Sequence, residues 1–273
     1  MEASLPAPRI KQNQRPRRMD KQPITEHLGE LRKRLFVSLI TVLIAFGACF
    51  YFSEQIFHML TLPIRAVLKF SLEKPFISYQ ASETPALNLV FLAPAEALWM
   101  HFKISFVSGI IITSPVIFYE VWKFVSPGLL QKEKRYALPF IIISTFLFLT
   151  GALFCFIVVL PLAMNFLLTY KTENIKPMLS VGNYMDFCLK FILAFGVVFE
   201  LPVVLVFLTR MGIVTTEFLS KNRKYAVLIA FVIAAVLTPT PDAFNQTLMA
   251  VPIILLYEVG IIASKIMGGK KSS

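Results

Sequence analysis

Three carboxylates stand where an acid could recognise or move charge rather than decorate a solvated surface. Glu30 lies in the stretch ITEHLGELRKRL (residues 24–35), just before the first long apolar run. Glu133 sits between Lys132 and Lys134 in a basic connection, and Glu200 falls inside a long apolar segment, two residues before Pro202. The chemistry open to such groups is ion pairing and hydrogen bonding. Glu30 can pair with Arg34 at i,i+4, worth a few tenths of a kcal/mol (roughly 0.2–0.5) on a helix, and Lys33 and Arg34 should keep it ionised. Glu133 can simply balance its basic neighbours. A charge at the middle of a membrane costs at least ~2.5 kcal/mol and is usually paired or functional. Glu200 is therefore either protonated and bonded to backbone that Pro202 frees, or placed there for use. Bond-making chemistry has no support: His27, His58 and His101 are isolated and no HExxH or GxSxG pattern occurs. No metal or cofactor is called for.

The elements that carry these residues are membrane helices. Hydrophobic residues make up 56% of the 273, the mean hydropathy is +0.70, and the apolar residues fall in long uncharged runs, which together define a polytopic all-α membrane protein. No cleavable signal peptide is evident, because the first apolar run starts near Leu35. Cys49, Cys155 and Cys188 lie within apolar runs without metal-ligand spacing and read as small buried fillers.

Residues 1–22 hold Arg9, Lys11, Arg15, Arg17, Arg18 and Lys21 among prolines and glutamines, a basic disordered tail attracted to anionic lipid. Residues 24–35 follow with leucines 28, 31 and 35 on one helical face, Thr25 as N-cap and Glu26 in the first turn, a short helix expected to lie at the membrane surface. Spans are expected at 35–52, 95–122, 136–168, 184–208, 225–237 and 244–257. The intervening segment 53–94 reads as a polar loop broken by Pro63, Pro75, Pro85 and Pro94. The third run would be a helix of roughly 50 Å, too long for one crossing, with Pro161 expected to kink it. The last two runs are short, about 20 Å each, and would thin the bilayer locally. The membrane unit occupies 23–268, leaving 269–273 as a short tail.

Lys and Arg crowd the N-terminus, the connections after the second and fourth runs, and the C-terminal tail. The positive-inside rule then gives six crossings with both termini cytoplasmic. The net charge of +11 is accounted for without nucleic acid. Lys103 and Lys190 are expected to pair with Glu96 and Asp186 or to reach the outer surface, while Glu120 and Glu258, nearer span ends, are expected to reach the interface.

Four stretches in this order, ITEHLGELRKRL, SPVIFYEVWKFVSPGLLQKEKR, FGVVFELPV and LTPTPDAFNQTLMAVP, resemble the TatC family, the multispanning receptor subunits of the twin-arginine translocase. The resemblance covers residues 24–266 and leaves the basic tail outside. It implies a protein of the bacterial inner membrane that binds the twin-arginine signal peptides of folded cargo at its cytoplasmic face. With the single-span proteins TatA and TatB, and as one of several copies in a receptor complex, it would move that cargo using the proton-motive force. On the matching positions it implies that Glu30 and Glu133 form the signal-peptide site, with Phe124, Pro127 and Leu129 shaping the second half, and that Arg32 positions the helix or meets lipid. A guanidinium suits such a site because it presents two parallel donors to a planar carboxylate. The resemblance further places Glu200 on a hydrated concave face and Thr238, Asp242 and Gln246 in a TatA/TatB docking patch, where the residues alone read as turn and capping groups. The competing reading is a proton-coupled small-solute transporter, suggested by intramembrane carboxylates and broken helices; the runs do not pair into repeated halves.

Overall fold

A computed structural model describes residues 24–70, 77–81, 89–125, 137–169, 178–238 and 242–267. The predicted tails and the segment holding Pro127, Leu129 and Glu133 lie outside these residues. Among the described residues, five helices are long and apolar enough to cross a membrane. A shorter sixth follows the fourth of them.

The first helix, α1 (Ile24–Tyr51), is a single 28-residue element. The surface helix expected over 24–35 is thus the leading part of the first span, and Thr25 lies within it instead of capping it. Glu, Leu, Lys and Arg are strong helix formers and no proline intervenes, so nothing breaks the element between Leu28 and Phe36. At about 42 Å it outreaches the roughly 30 Å hydrocarbon core by about two turns. Leu35, Phe36, Leu39, Ile40, Leu43 and Ile44 are all exposed, as lipid-facing side chains must be.

The described part of the segment 53–94 holds more than the polar loop its prolines suggested. It holds α2 (Ser53–Leu60), α3 (Leu62–Arg65) and an antiparallel hairpin of β1 (Ala66–Phe70) with β2 (Ile77–Ala81), in which Ala66 faces Ala81 and Phe70 faces Ile77. The described chain is otherwise helical, apart from an isolated parallel bridge between Val90 and Ser180. α4 (Glu96–Val125) is continuous despite Pro115 and packs along α1.

The long third run divides as its length demanded. α5 (Ala137–Phe154) leads into a π-helical turn, Cys155–Val159, and then α6 (Leu160–Thr169). Pro161 lacks an N–H and its ring crowds the carbonyl four residues back, and the wider π-turn immediately before it relieves that conflict. The fourth run also breaks where its sequence indicated. α7 (Val181–Phe199) ends at Glu200, and α8 (Leu201–Arg210) starts with Pro202 in its first turn, a position where the missing N–H costs nothing.

α7 is the central post. Phe191, Phe195, Met185 and Cys188 on it are fully buried, and α4 and α5 both pack against it. Gly151 and Gly196 bring α5 and α7 into close approach: a Cβ on Gly151 would lie 2.6 Å from the Phe195 carbonyl oxygen. Small residues at such crossings let helices gain contact where no hydrophobic effect drives them together.

After α9 (Thr216–Lys221), α10 (Arg223–Leu237) has 15 residues, about 22 Å. The last helix is not short. α11 (Ala243–Met267) runs 25 residues, about 37 Å. The apolar run 244–257 is only its first part, since Glu258 pairs with Arg223 at 2.9 Å and the helix continues. A charged residue ended the uncharged run without ending the helix.

Candidate functional site

Glu30 and Arg34 sit one turn apart on α1, and the Arg34 Nη2 donates to Glu30 Oε1 at 2.9 Å. The i,i+4 pair expected from spacing is therefore present. It has a third member that spacing did not reveal. Arg34 Nη1 donates to Glu120 Oε2, 3.3 Å away on α4. Glu120 is 7% exposed, covered where α4 packs against α1. One guanidinium thus links two carboxylates from two helices. Glu30, with a quarter of its side chain exposed, is the more accessible of the two acids.

Two neighbouring basic residues lie over aromatic rings. Arg32 lies over the Phe36 ring, 5.7 Å from its centroid, and Lys33 is exposed. Lys123 reaches over Tyr119 at 5.4 Å. Trp122 stacks on Phe140 with centroids 5.0 Å apart and meets Phe207 edge-on, tying the end of α4 to α5 and α8. Phe124, half-buried, is in this same last turn. Glu133, Pro127 and Leu129 fall outside the described residues.

Glu200 occupies the joint between α7 and α8. Its carboxyl faces the Ser144 hydroxyl and the Phe148 backbone on α5, while Oε1 has no hydrogen-bond partner among the described residues. Among the described residues no basic side chain pairs with it, so it is a polar group held within an apolar setting by one helix face.

Thr238, Asp242 and Gln246 are brought together at the α10–α11 turn, and each is engaged inward. The buried Thr238 hydroxyl donates to the Ala234 carbonyl at 2.6 Å. Asp242 accepts from the Asn245 backbone N–H at 2.7 Å and from its side-chain amide at 2.9 Å, the geometry of a helix cap. Gln246 Nε2 donates to the Phe231 carbonyl at 3.1 Å.

A polar cluster at the opposite end of α4 was only partly anticipated. Lys103 pairs with Asp186 through both oxygens, at 2.7 and 2.9 Å. Among the described residues Glu96 pairs with no lysine. It accepts from the backbone N–H groups of Leu92 at 2.5 Å, Ala93 at 3.3 Å and Gly182 at 2.7 Å, and from the Ser180 hydroxyl. The Tyr184 hydroxyl donates to the Leu60 carbonyl at 2.7 Å. Together with the Val90–Ser180 bridge, these bonds fasten the start of α7 to the start of α4 and to α2.

The profile of the family described as Sec-independent protein translocase protein (TatC) matches residues 26–252. The chain belongs to the TatC family. Among curated relatives, TatC of Desulforapulum autotrophicum is 44% identical over 257 residues, covering 94% of this chain and 89% of its own. TatC of Aquifex aeolicus is 44% identical over 251 residues, covering 91% and 97%. A crystal structure of the twin-arginine translocase receptor TatC superposes with a TM-score of 0.74 at 42% identity, covering 89% of this chain and 99% of that one. TatC proteins are membrane components of a protein translocase and not enzymes, and the family assignment displaces the small-solute transporter reading.

Proposed function

We propose that this protein is the signal-peptide receptor of a twin-arginine translocase in a bacterial inner membrane. Both termini and the α1–α4 end of the bundle face the cytoplasm, and six helices cross, the short α10 included. The observation that carries the reading is the Glu30 carboxylate at the projecting end of α1, already engaged by a guanidinium at 2.9 Å. A carboxylate that already accepts a charge-assisted bond from one guanidinium can accept from a peptide arginine. Glu133, from the basic connection after α4, supplies the second carboxylate for the second arginine, and Phe124, Pro127 and Leu129 shape the segment that presents it.

The bound cargo then passes through an assembly with TatA and TatB, driven by the proton-motive force, with several copies of this chain in the receptor complex. A single-span partner docks on the α10–α11 pair at the turn that Thr238, Asp242 and Gln246 shape. Glu200 offers that assembly a polar position within the membrane.

The test is site-specific photocross-linking to a twin-arginine signal peptide. Glu30→Gln and Glu133→Gln should each weaken cross-linking, and the double variant more than either. Unchanged cross-linking in the double variant overturns the assignment.

A further inference from the structure

The arrangement at Glu30 poses a question of charge. A carboxylate satisfied by its own Arg34 is a neutral pair, and a neutral pair has little reason to accept another cation. Glu120 changes the sum. Two carboxylates share one guanidinium through different nitrogens, Nη2 to Glu30 at 2.9 Å and Nη1 to Glu120 at 3.3 Å, so the trio carries one negative charge in excess. Burial is graded along it, with the side chains 25% exposed at Glu30, 17% at Arg34 and 9% at Glu120. An incoming group reaches Glu30 first and Glu120 last.

We propose that Glu120 is a positioning residue of the receptor site and that Arg34 is an internal guanidinium occupying the seat a peptide arginine takes. On binding, the peptide guanidinium replaces Arg34 Nη2 at Glu30, while Arg34 remains on Glu120. The exchange ends with two acids and two guanidiniums, each charge matched. Arg34 stays because leaving would strand Glu120 as a buried, uncompensated charge. Glu30 is released to the peptide because it is the outer member of the trio. Lysine should exchange poorly: Arg34 spends one nitrogen on each acid, whereas an incoming arginine can offer the freed Glu30 carboxylate two parallel donors, which a single ammonium cannot. This inference rests on Glu30 as a receptor residue and adds to the machinery an α4 residue that does not itself meet the peptide.

The experiment measures fluorescence anisotropy of a labelled synthetic peptide bearing a twin-arginine motif and an apolar segment, with a twin-lysine peptide as control. The full chain is held in lipid nanodiscs. Glu120→Gln leaves Arg34 wholly on Glu30 and the site neutral, and should weaken binding about ten-fold, the scale of one charge-assisted hydrogen bond. Arg34→Gln empties Glu30 and should bind at least as tightly as the parent. The double variant Glu120→Gln/Arg34→Gln restores one free carboxylate and should return to within about two-fold of the parent, a rescue that loss of packing would not produce. It also removes both buried charges at once, so it remains informative where a single variant unfolds. Unchanged binding in Glu120→Gln, or a double variant as weak as Glu120→Gln alone, overturns the proposal. If Glu30→Gln binds like the parent, the receptor reading itself fails, and the two failures are distinct.

Discussion

Replacing Gly151 by alanine tests whether the α5–α7 crossing is as tight as described. The new Cβ would lie 2.6 Å from the Phe195 carbonyl oxygen, 2.7 Å from Phe199 Cγ and 2.8 Å from Phe199 Cβ. Two of those three atoms belong to, or hang directly from, the α7 backbone, so no rotamer change clears them. Restoring ordinary contact requires the helices to part by about 0.7 Å, and overpacking of this kind costs about 1–3 kcal/mol. Alanine is favoured over glycine in a helix interior by about 1 kcal/mol, which sets the net loss at about 0–2 kcal/mol. Two other glycines calibrate the effect. Gly47 on α1 has nothing within 4 Å of a built Cβ, and Gly196 meets only the ring edge of Phe148, which can turn. Thermal unfolding in detergent should therefore rank Gly47→Ala at or above the parent, Gly196→Ala between, and Gly151→Ala lowest, by up to about 8 °C in Tm. Cys155 and Cys188 are fully buried in the same core, so a thiol-reactive dye that fluoresces on coupling reports the transition directly. A Gly151→Ala variant that melts with or above Gly47→Ala would refute the close approach.

Glu96→Ala should remove the acceptor shared by Leu92, Ala93, Ser180 and Gly182, lowering Tm and speeding proteolytic cleavage near residues 178–182. Glu96→Gln, which keeps an acceptor oxygen, should lie between it and the parent; limited proteolysis in membranes reads both. Glu200→Leu should leave signal-peptide cross-linking intact while reducing cargo export several-fold in a transport assay. Lost cross-linking in that variant would make Glu200 part of the receptor site or of the fold.

The hydropathy pattern carried the bundle because long uncharged runs leave a helix little alternative in a membrane. Pro161 and Pro202 marked the breaks in the third and fourth helices because their missing donors act locally. What spacing could not convey was pairing between distant residues. Glu120 read as an interfacial acid because nothing near it in sequence reveals that Arg34, 86 residues earlier, comes to meet it. Glu96 was given to a lysine because charge is visible in a sequence and backbone donors at Leu92, Ala93 and Gly182 are not. Proline-rich residues 53–94 concealed two short helices and a hairpin, since proline is compatible with helix starts such as Leu62–Arg65. For the candidate site, Glu30 and its Arg34 partner were legible from i,i+4 spacing. The family resemblance, and not spacing, singled out Glu30 for recognition.

One contrast among the five long helices bears on how a signal at Glu30 would travel. Pro115, Pro161 and Pro252 fall within the second, third and fifth, and Pro202 marks the joint in the fourth; of the five, α1 alone contains no proline. A proline past the first turn frees a carbonyl and lowers the local resistance to bending. From Glu30 to Tyr51, α1 has no proline to break its ladder. A tilt begun where Arg34 lets go of Glu30 would reach the far side as rigid-body motion of a rod, with its flexure taken up in the helices around it.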